Sequence, residues 1–155
     1  MRVKKIVSGG QTGVDRAALD FALERGITCG GWCPKGRLAE DGTIAERYPL
    51  KETPTSEYAE RTLWNVRDSD ATLVLTWGPP TEGTAFTVEA AHAFNKPCLV
   101  VDLAEPWDSG EVENWLERHA ARVLNIAGPR ASKTAAIYDH ALDFLNQLFL
   151  PTKRG

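Results

Sequence analysis

The sequence predicts an α/β protein built on a mostly parallel sheet, and three observations predict it. Short β-branched runs, near continuous in apolar residues, recur along the 155 residues. Each run is followed by a segment whose apolar residues repeat at helical spacing. The turns that lead from run to helix carry glycine and small polar residues. Strands that are apolar on both faces and alternate with helices form parallel sheets covered on both sides.

The elements follow in chain order. Residues 3–8 read as a buried strand, after which Val14, Ala17, Ala18, Phe21 and Ala22 share one helical face that Gly26 closes. A second strand is expected over 27–32. Residues 34–55 hold three prolines and two glycines and read as a long loop. A loop of that length in a compact domain is commonly functional. A helix follows over 57–68 and a central strand over 71–77. The turn GPPTEGT leads into a helix with Thr87, Ala90, Ala91 and Phe94 on one face. Residues 97–103 form the next strand, and Val112, Trp115, Leu116 and Ala120 mark the next helix. A last strand over 122–127 precedes a closing helix over 133–149, striped by Tyr138, Ala141, Leu142, Leu145 and Phe149. With right-handed crossovers this order gives a Rossmann-like, doubly wound, mostly parallel sheet of about five strands with helices on both faces. The whole chain, 1–155, is expected to be one ligand-binding domain.

Composition narrows the function. The apolar share is 43% and the charged share 25%, ordinary values for a folded globular chain. Eighteen basic against 21 acidic side chains leave a net charge of −3, which excludes a generic binder of nucleic-acid phosphates. No window approaches the ~18 uninterrupted apolar residues of a membrane span. The opening MRVKKIVSGG is too short and too soon glycine-rich for a signal peptide. Cys29, Cys33 and Cys98 form no C-x-x-C pair and read as small hydrophobes in strands. Free thiols without a signal set the expected location as the cytoplasm. A metal site is not expected, because the three histidines lie far from the cysteines.

In doubly wound sheets, ligands bind beyond the carboxyl ends of the strands. The loops that follow strands therefore carry the candidates. The first runs from Ser8 through Gly9, Gly10, Gln11, Thr12 and Gly13 to Arg16, a glycine loop entering a helix N-terminus, which suits an anion. It is neither a Walker loop nor a G-x-G-x-x-G fingerprint. Thr12 and Asp15 also have the spacing of a capping box, which needs no ligand. The second loop begins at Gly78 and offers N–H and hydroxyl donors at Gly83 and Thr84. The third runs from Asn125 to Ser132, where Arg130 either clamps an anion or stands free at the surface, and Ser132 caps the last helix. In the long loop Lys35 and Arg37 are either anion contacts or solvated charges. On the helix that follows, Tyr58, Arg61, Asn65 and Asp68 share a polar face, and the fold brings Arg61 and Asn65 toward the first loop. No G-x-S-x-G elbow and no Ser-His-Asp or Cys-His set is present, so no catalytic residue is expected.

At these residues the chain resembles a known family. The segments SGGQTGVDRAALDFA, GWCPKGRLAEDGTI, YPLKET, RTLWNVRDSDATLV, GPPTEGTAFT and LNIAGPRAS are together similar to the molybdenum-cofactor carrier family, in the YpsA-like branch of the SLOG Rossmann-like superfamily. The resemblance implies a Rossmann-like subunit, commonly a homo-oligomer. Its ligand would be the molybdenum cofactor, a pterin with a phosphate, a dithiolene and an oxo-molybdenum centre. The protein would store and shield that cofactor, exchanging it with molybdoenzymes or cofactor-synthesis proteins. On this resemblance Gly10, Gln11, Thr12 and Gly13 match the first ligand loop, and Gly83 and Thr84 the second. Phosphoribohydrolases of the superfamily carry a glutamate shortly after the Gly-Thr pair. Here the first carboxylate after Gly83-Thr84 is Glu89, about one turn later than that pattern places it.

The leading expectation is therefore a non-catalytic binder of an anionic, phosphate-bearing small molecule, most simply the molybdenum cofactor. The alternatives are a nucleotide-processing N-glycosidase and a nucleotide or ADP-ribose sensor. A homo-oligomer interface is expected to take up some of Trp64, Trp107 and Trp115, since tryptophan is enriched at interfaces.

Overall fold

The structure, a computed structural model, describes residues 3–150; residues 1–2 and 151–155 of the expected 1–155 domain lie outside the described residues. Five strands make the central sheet: β1 (Lys5–Val7), β2 (Thr28–Gly30), β7 (Ala71–Thr76), β8 (Cys98–Asp102) and β9 (Val123–Ala127). Two short ribbons lie outside it, β3 (Trp32–Cys33) with β6 (Lys51–Glu52), and β4 (Leu38–Ala39) with β5 (Gly42–Thr43). The helices are α1 (Val14–Arg25), α2 (Tyr58–Arg67), α3 (Glu82–Ala93), α4 (Ser109–Arg118) and α5 (Ile137–Leu148).

The central sheet runs β2-β1-β9-β7-β8, and every pairing is parallel. Counting from β9 instead of β1 turns this order into 3-2-1-4-5, the first five strands of the classical dinucleotide-binding order. The last strand and helix of the chain thus stand where such a fold normally begins. Every residue of β7 is buried, which explains its unbroken apolar and threonine sequence. Helices α1, α4 and α5 share the main core with the sheet, around Phe21, Trp115 and Phe144. Helices α2 and α3 pack together in a second core of Val66, Ala90 and Ala91. The expected α/β, Rossmann-like, doubly wound arrangement is the one observed. Among the described residues no helix is long and apolar enough to cross a membrane.

Several boundaries differ from expectation, each for a local reason. Strand β2 stops at Gly30 because Gly31 turns the chain at φ 130°, where a Cβ would stand 2.3 Å from the Ser8 carbonyl oxygen. Trp32 and Cys33 then pair with β6 rather than extending the sheet. The segment 34–55 is also not structureless. Its apolar residues Ala39, Ile44, Tyr48 and Leu50 fold onto Leu19 and Cys33 as a third core. Arg37 donates to the carbonyls of Ile44, Ala45, Tyr48 and Leu50, so it organises the loop from within and is not an anion contact.

Helix α3 ends at Ala93, leaving Phe94 exposed as its C-cap. Ala120 lies past α4 at φ 47°, and Ala121 takes the buried position instead. Helix α5 begins at Ile137, after turns that end with Ala136 at φ 60°. Its buried face is Ile137, Ala141, Phe144, Leu145 and Leu148, with Tyr138, Leu142 and Phe149 only flanking it. Trp115 lies in the main core, Trp107 packs on Phe144 at 4.3 Å, and Trp64 meets Trp32 edge-on at 4.7 Å. Trp64, Trp107 and Trp115, some of which are expected at an interface, thus each have partners within the chain.

Candidate functional site

The first glycine loop is folded by its own residues. The Ser8 hydroxyl donates to the Asp15 carbonyl at 2.8 Å and accepts from the Gly10 N–H. Gly13, at φ 80°, presses against the third loop, where a Cβ would stand 2.3 Å from the Pro129 carbonyl oxygen. Over Gly9 lies the Arg61 side chain, whose Nη1 donates to the Gly9 carbonyl at 2.9 Å. Asn65 brackets Trp32 as a strand partner would, accepting from its N–H at 2.7 Å and donating to its carbonyl at 3.0 Å. Arg61 and Asn65 of the polar face of α2 are therefore buried toward the glycine loop and Trp32, as the sequence suggested, while Tyr58 and Asp68 of the same face stay exposed.

No side chain caps α1, whose N-cap is Gly13, so the Thr12–Asp15 capping box does not form. The Asp15 carboxylate instead accepts from the Gln11 N–H at 3.3 Å. The Thr12 hydroxyl donates to Glu40 and accepts from the Ala131 N–H at 3.1 Å. Glu40, between β4 and β5, also accepts from the Ser132 hydroxyl and N–H and lies 3.2 Å from Arg130 Nε. Burial pushes the Glu40 pKa up, but hydrogen bonds from Ser132 and Thr12 outweigh that and hold it below the ordinary range. Thr12, Arg130 and Ser132 thus converge on an anion, and that anion is a carboxylate of the chain itself.

A cleft of about 360 Å³ opens beyond the carboxyl ends of β7 and β9, between α2 and the start of α3. Strands β9 and β7 are the neighbours at which the sheet order reverses, the place where such folds take ligands. Gly9 and Gln11 line it from the first loop, and Arg61 and Asn65 from α2. Gly83, Thr84 and Arg130 complete the expected residues found there. Gly83 and Thr84 form the first turn of α3 rather than a loop before it. Gly10, Thr12, Gly13, Lys35, Gly78 and Ser132 are not on its wall. Lys35 is exposed on the long segment, and the Gly78 N–H is taken by the Asp102 carboxylate at 2.8 Å. The cleft adds residues that sequence reasoning did not place there, above all Asp15, Trp77 and Lys133. Trp77 carried a signal, since it directly follows the most buried strand.

The charges on the cleft wall are nearly balanced, with Arg61, Arg130 and Lys133 standing against Asp15 and Glu82. Arg130 and Lys133 border the cleft, the latter paired with Glu82 at 2.8 Å. Arg61 Nη1 lies 3.7 Å from the Asp15 carboxylate. Burial raises the Asp15 pKa to about 6, although Arg61 and the Gln11 N–H pull it down. Two buried side-chain donors on cleft residues, Gln11 Nε2 and Arg61 Nε, have no hydrogen-bond partner. A buried unpaired donor costs about 1–3 kcal/mol, so a ligand acceptor that reached them would gain accordingly. Among the described residues, no three His, Cys, Asp or Glu side chains are grouped to hold a metal ion. None of the three cysteines lines the cleft, and burial raises the pKa of each.

Residues 6–149 match the model of the circularly permutated YpsA SLOG family. The chain belongs to that family. In the sheet of this chain β9, the last strand in sequence, occupies the position of a first strand. A solved SLOG-type structure from Syntrophus aciditrophicus SB, described as a "putative molybdenum carrier protein", is 48% identical and superposes with a TM-score of 0.92. The match covers 97% of this chain and 96% of that one. No curated protein matches the chain.

Proposed function

We propose that the protein is a non-catalytic binding and carrier protein for an anionic, phosphate-bearing small molecule, and that the molecule is the molybdenum cofactor. The observation that carries this reading is the cleft at the β9–β7 reversal, lined by Gly9 and Gln11 of the first glycine loop and by Arg61, with the buried Gln11 Nε2 and Arg61 Nε donors left without a partner. Arg130 and Lys133 also line the cleft, each beside a carboxylate of the chain, Glu40 and Glu82. Its volume falls within the ~300–1,000 Å³ usual for small-molecule sites. The 48%-identical neighbour, described as a molybdenum carrier, supports the choice of cargo. The test is native mass spectrometry of protein purified from its own host, with molybdenum analysis of the same sample. A pterin mass accompanied by molybdenum is expected; a nucleotide mass without molybdenum overturns the choice of cargo.

A second reading, nucleotide N-glycosidase, draws on one observation. Asp15, with a pKa near 6 on the cleft wall, is the kind of carboxyl that can exchange a proton at working pH. Glu89, the first carboxylate after Gly83-Thr84 though later than the hydrolase pattern places it, is exposed and off the cleft wall. Under the carrier reading no ribose 5-phosphate is released from AMP. Release at ~1 s⁻¹ that disappears in Asp15→Asn would establish the enzyme instead.

A further inference from the structure

Two aromatic rings on the cleft wall are left exposed by the fold, Trp77 at 46% and Tyr58 at 39%. Trp77 sits at the carboxyl end of β7, directly before Gly78 at φ 90°. One face of its indole is covered by the imidazole of His140 from α5, stacked at 4.3 Å and 20° from parallel. The ring is thereby held in one orientation while nearly half of the residue stays open. Tyr58, at the start of α2, is steadied by the Arg61 guanidinium over its ring at 5.2 Å. A large aromatic that is pre-oriented yet uncovered on a ligand cleft has the properties of a stacking surface, since every planar heterocycle offers a π-face to it.

We propose that Trp77, braced by His140, is the stacking platform of the cleft, and that the site selects anions carrying a planar fused heteroaromatic ring, a pterin or a purine. This rests on the reading of the cleft as an anion site and adds what the anion must be attached to. Arg61 and Gln11 hold the charged end, and Trp77 reads the ring. His140 is a positioning residue that acts through the indole.

The test compares three probes by calorimetry: 6-carboxypterin, guanosine 5′-monophosphate and ribose 5-phosphate. Wild-type protein is expected to bind at least one ring-bearing probe about tenfold tighter than ribose 5-phosphate, the ordinary worth of one stacked base. Trp77→Ala removes that preference and leaves ribose 5-phosphate unchanged, while Trp77→Phe retains most of it. His140→Ala loses part of the preference and His140→Phe, which keeps a stacked ring, restores it. A wild-type protein without preference for rings overturns the platform, and so does a Trp77→Ala variant that keeps the preference. Trp77-dependent binding of the purine nucleotide but not of the pterin upholds the platform and removes the molybdenum cofactor as cargo. Molybdenum and pterin retained in full by Trp77→Ala from its own host reject the platform and leave the carrier reading standing.

Discussion

Arg61 Nη1 stands 3.7 Å from Asp15 Oδ2, and each of the two side chains is only 10% exposed. The same nitrogen donates to the Gly9 carbonyl, so one guanidinium holds the glycine loop and balances a buried carboxylate. Removing one member of a buried pair commonly costs about 3–5 kcal/mol, because the other charge is left without a partner. Asp15 can escape part of that cost by taking up a proton, since burial already raises its pKa from 3.8 to about 6. Arg61→Met is therefore expected to lose about 3 kcal/mol at pH 7.5 and clearly less at pH 5. In the wild type the folded pKa of Asp15 exceeds the unfolded one. Its contribution to stability is then fully present below about pH 4 and fades as pH rises through about 6. Asp15→Asn should flatten the stability curve across that window. Denaturant unfolding at several pH values checks both variants, and parallel curves for Asp15→Asn and wild type would reject the assignment.

Arg37 makes four hydrogen bonds to carbonyls of its own loop, at Ile44, Ala45, Tyr48 and Leu50. No other side chain can replace a planar fork in that position. Arg37→Ala is expected to lower stability by about 2–4 kcal/mol, summing modest net contributions from each bond. Arg37→Lys should recover little. Limited proteolysis should then cut within residues 34–55, where the wild-type segment resists; equal resistance in Arg37→Ala would show that the third core holds the loop alone.

Gly13 and Gly83 separate backbone necessity from ligand access. Gly13 has φ 80°, and a Cβ there would meet the Pro129 carbonyl oxygen at 2.3 Å. Neither strain can be relieved by a rotamer change, so Gly13→Ala should lose at least about 2 kcal/mol. At Gly83 a Cβ meets nothing within 4 Å, and the residue lies in the first turn of α3 on the cleft wall. Gly83→Ala should leave the fold as stable or more so, by about 0.5 kcal/mol. The added methyl keeps an anion from the α3 backbone, so the molybdenum content of host-purified protein should fall. Unchanged content would mean that the ligand does not approach Gly83.

What the sequence makes legible follows from the range of each signal. Strand and helix alternation is local, and β7 and α1 with its Gly26 stop are found where the pattern puts them. The order β2-β1-β9-β7-β8 is not local, because it depends on which strands pair across the whole chain. The site divides in the same way. Arg61 and Asn65 fall on one helical face by spacing alone, but their burial against Gly9 and Trp32 is long-range. Asp15 carried the spacing of a capping residue, which concealed its place on the cleft wall. Arg37 looked like a free cation because nothing in its neighbourhood of sequence shows four carbonyls turned toward it. Thr12, Arg130 and Ser132 have the right chemistry for an anion, and only the folded hairpin brings Glu40 to them.

That last relationship changes what a substitution at Thr12 does. As an N-cap, Thr12 would tolerate aspartate, which caps at least as well. In the fold its hydroxyl donates to the Glu40 carboxylate, so Thr12→Asp places a second carboxylate beside the first. Two like charges about 4 Å apart repel by several kcal/mol at an effective dielectric near 20, and partial exposure reduces this. The expected loss is about 1–3 kcal/mol at pH 7, enough to lower Tm by several degrees in a chain of this size. Two measurements separate repulsion from mere loss of a hydrogen bond. Lowering the pH into the carboxylate range should return much of the stability, because one of the two groups then takes a proton. In a Glu40→Gln background the penalty of Thr12→Asp should shrink to a few tenths of a kcal/mol, giving a coupling energy of 1 kcal/mol or more in the double-mutant cycle. Additive effects of the two substitutions would show that Thr12 and Glu40 do not meet, and the capping role of Thr12 would stand.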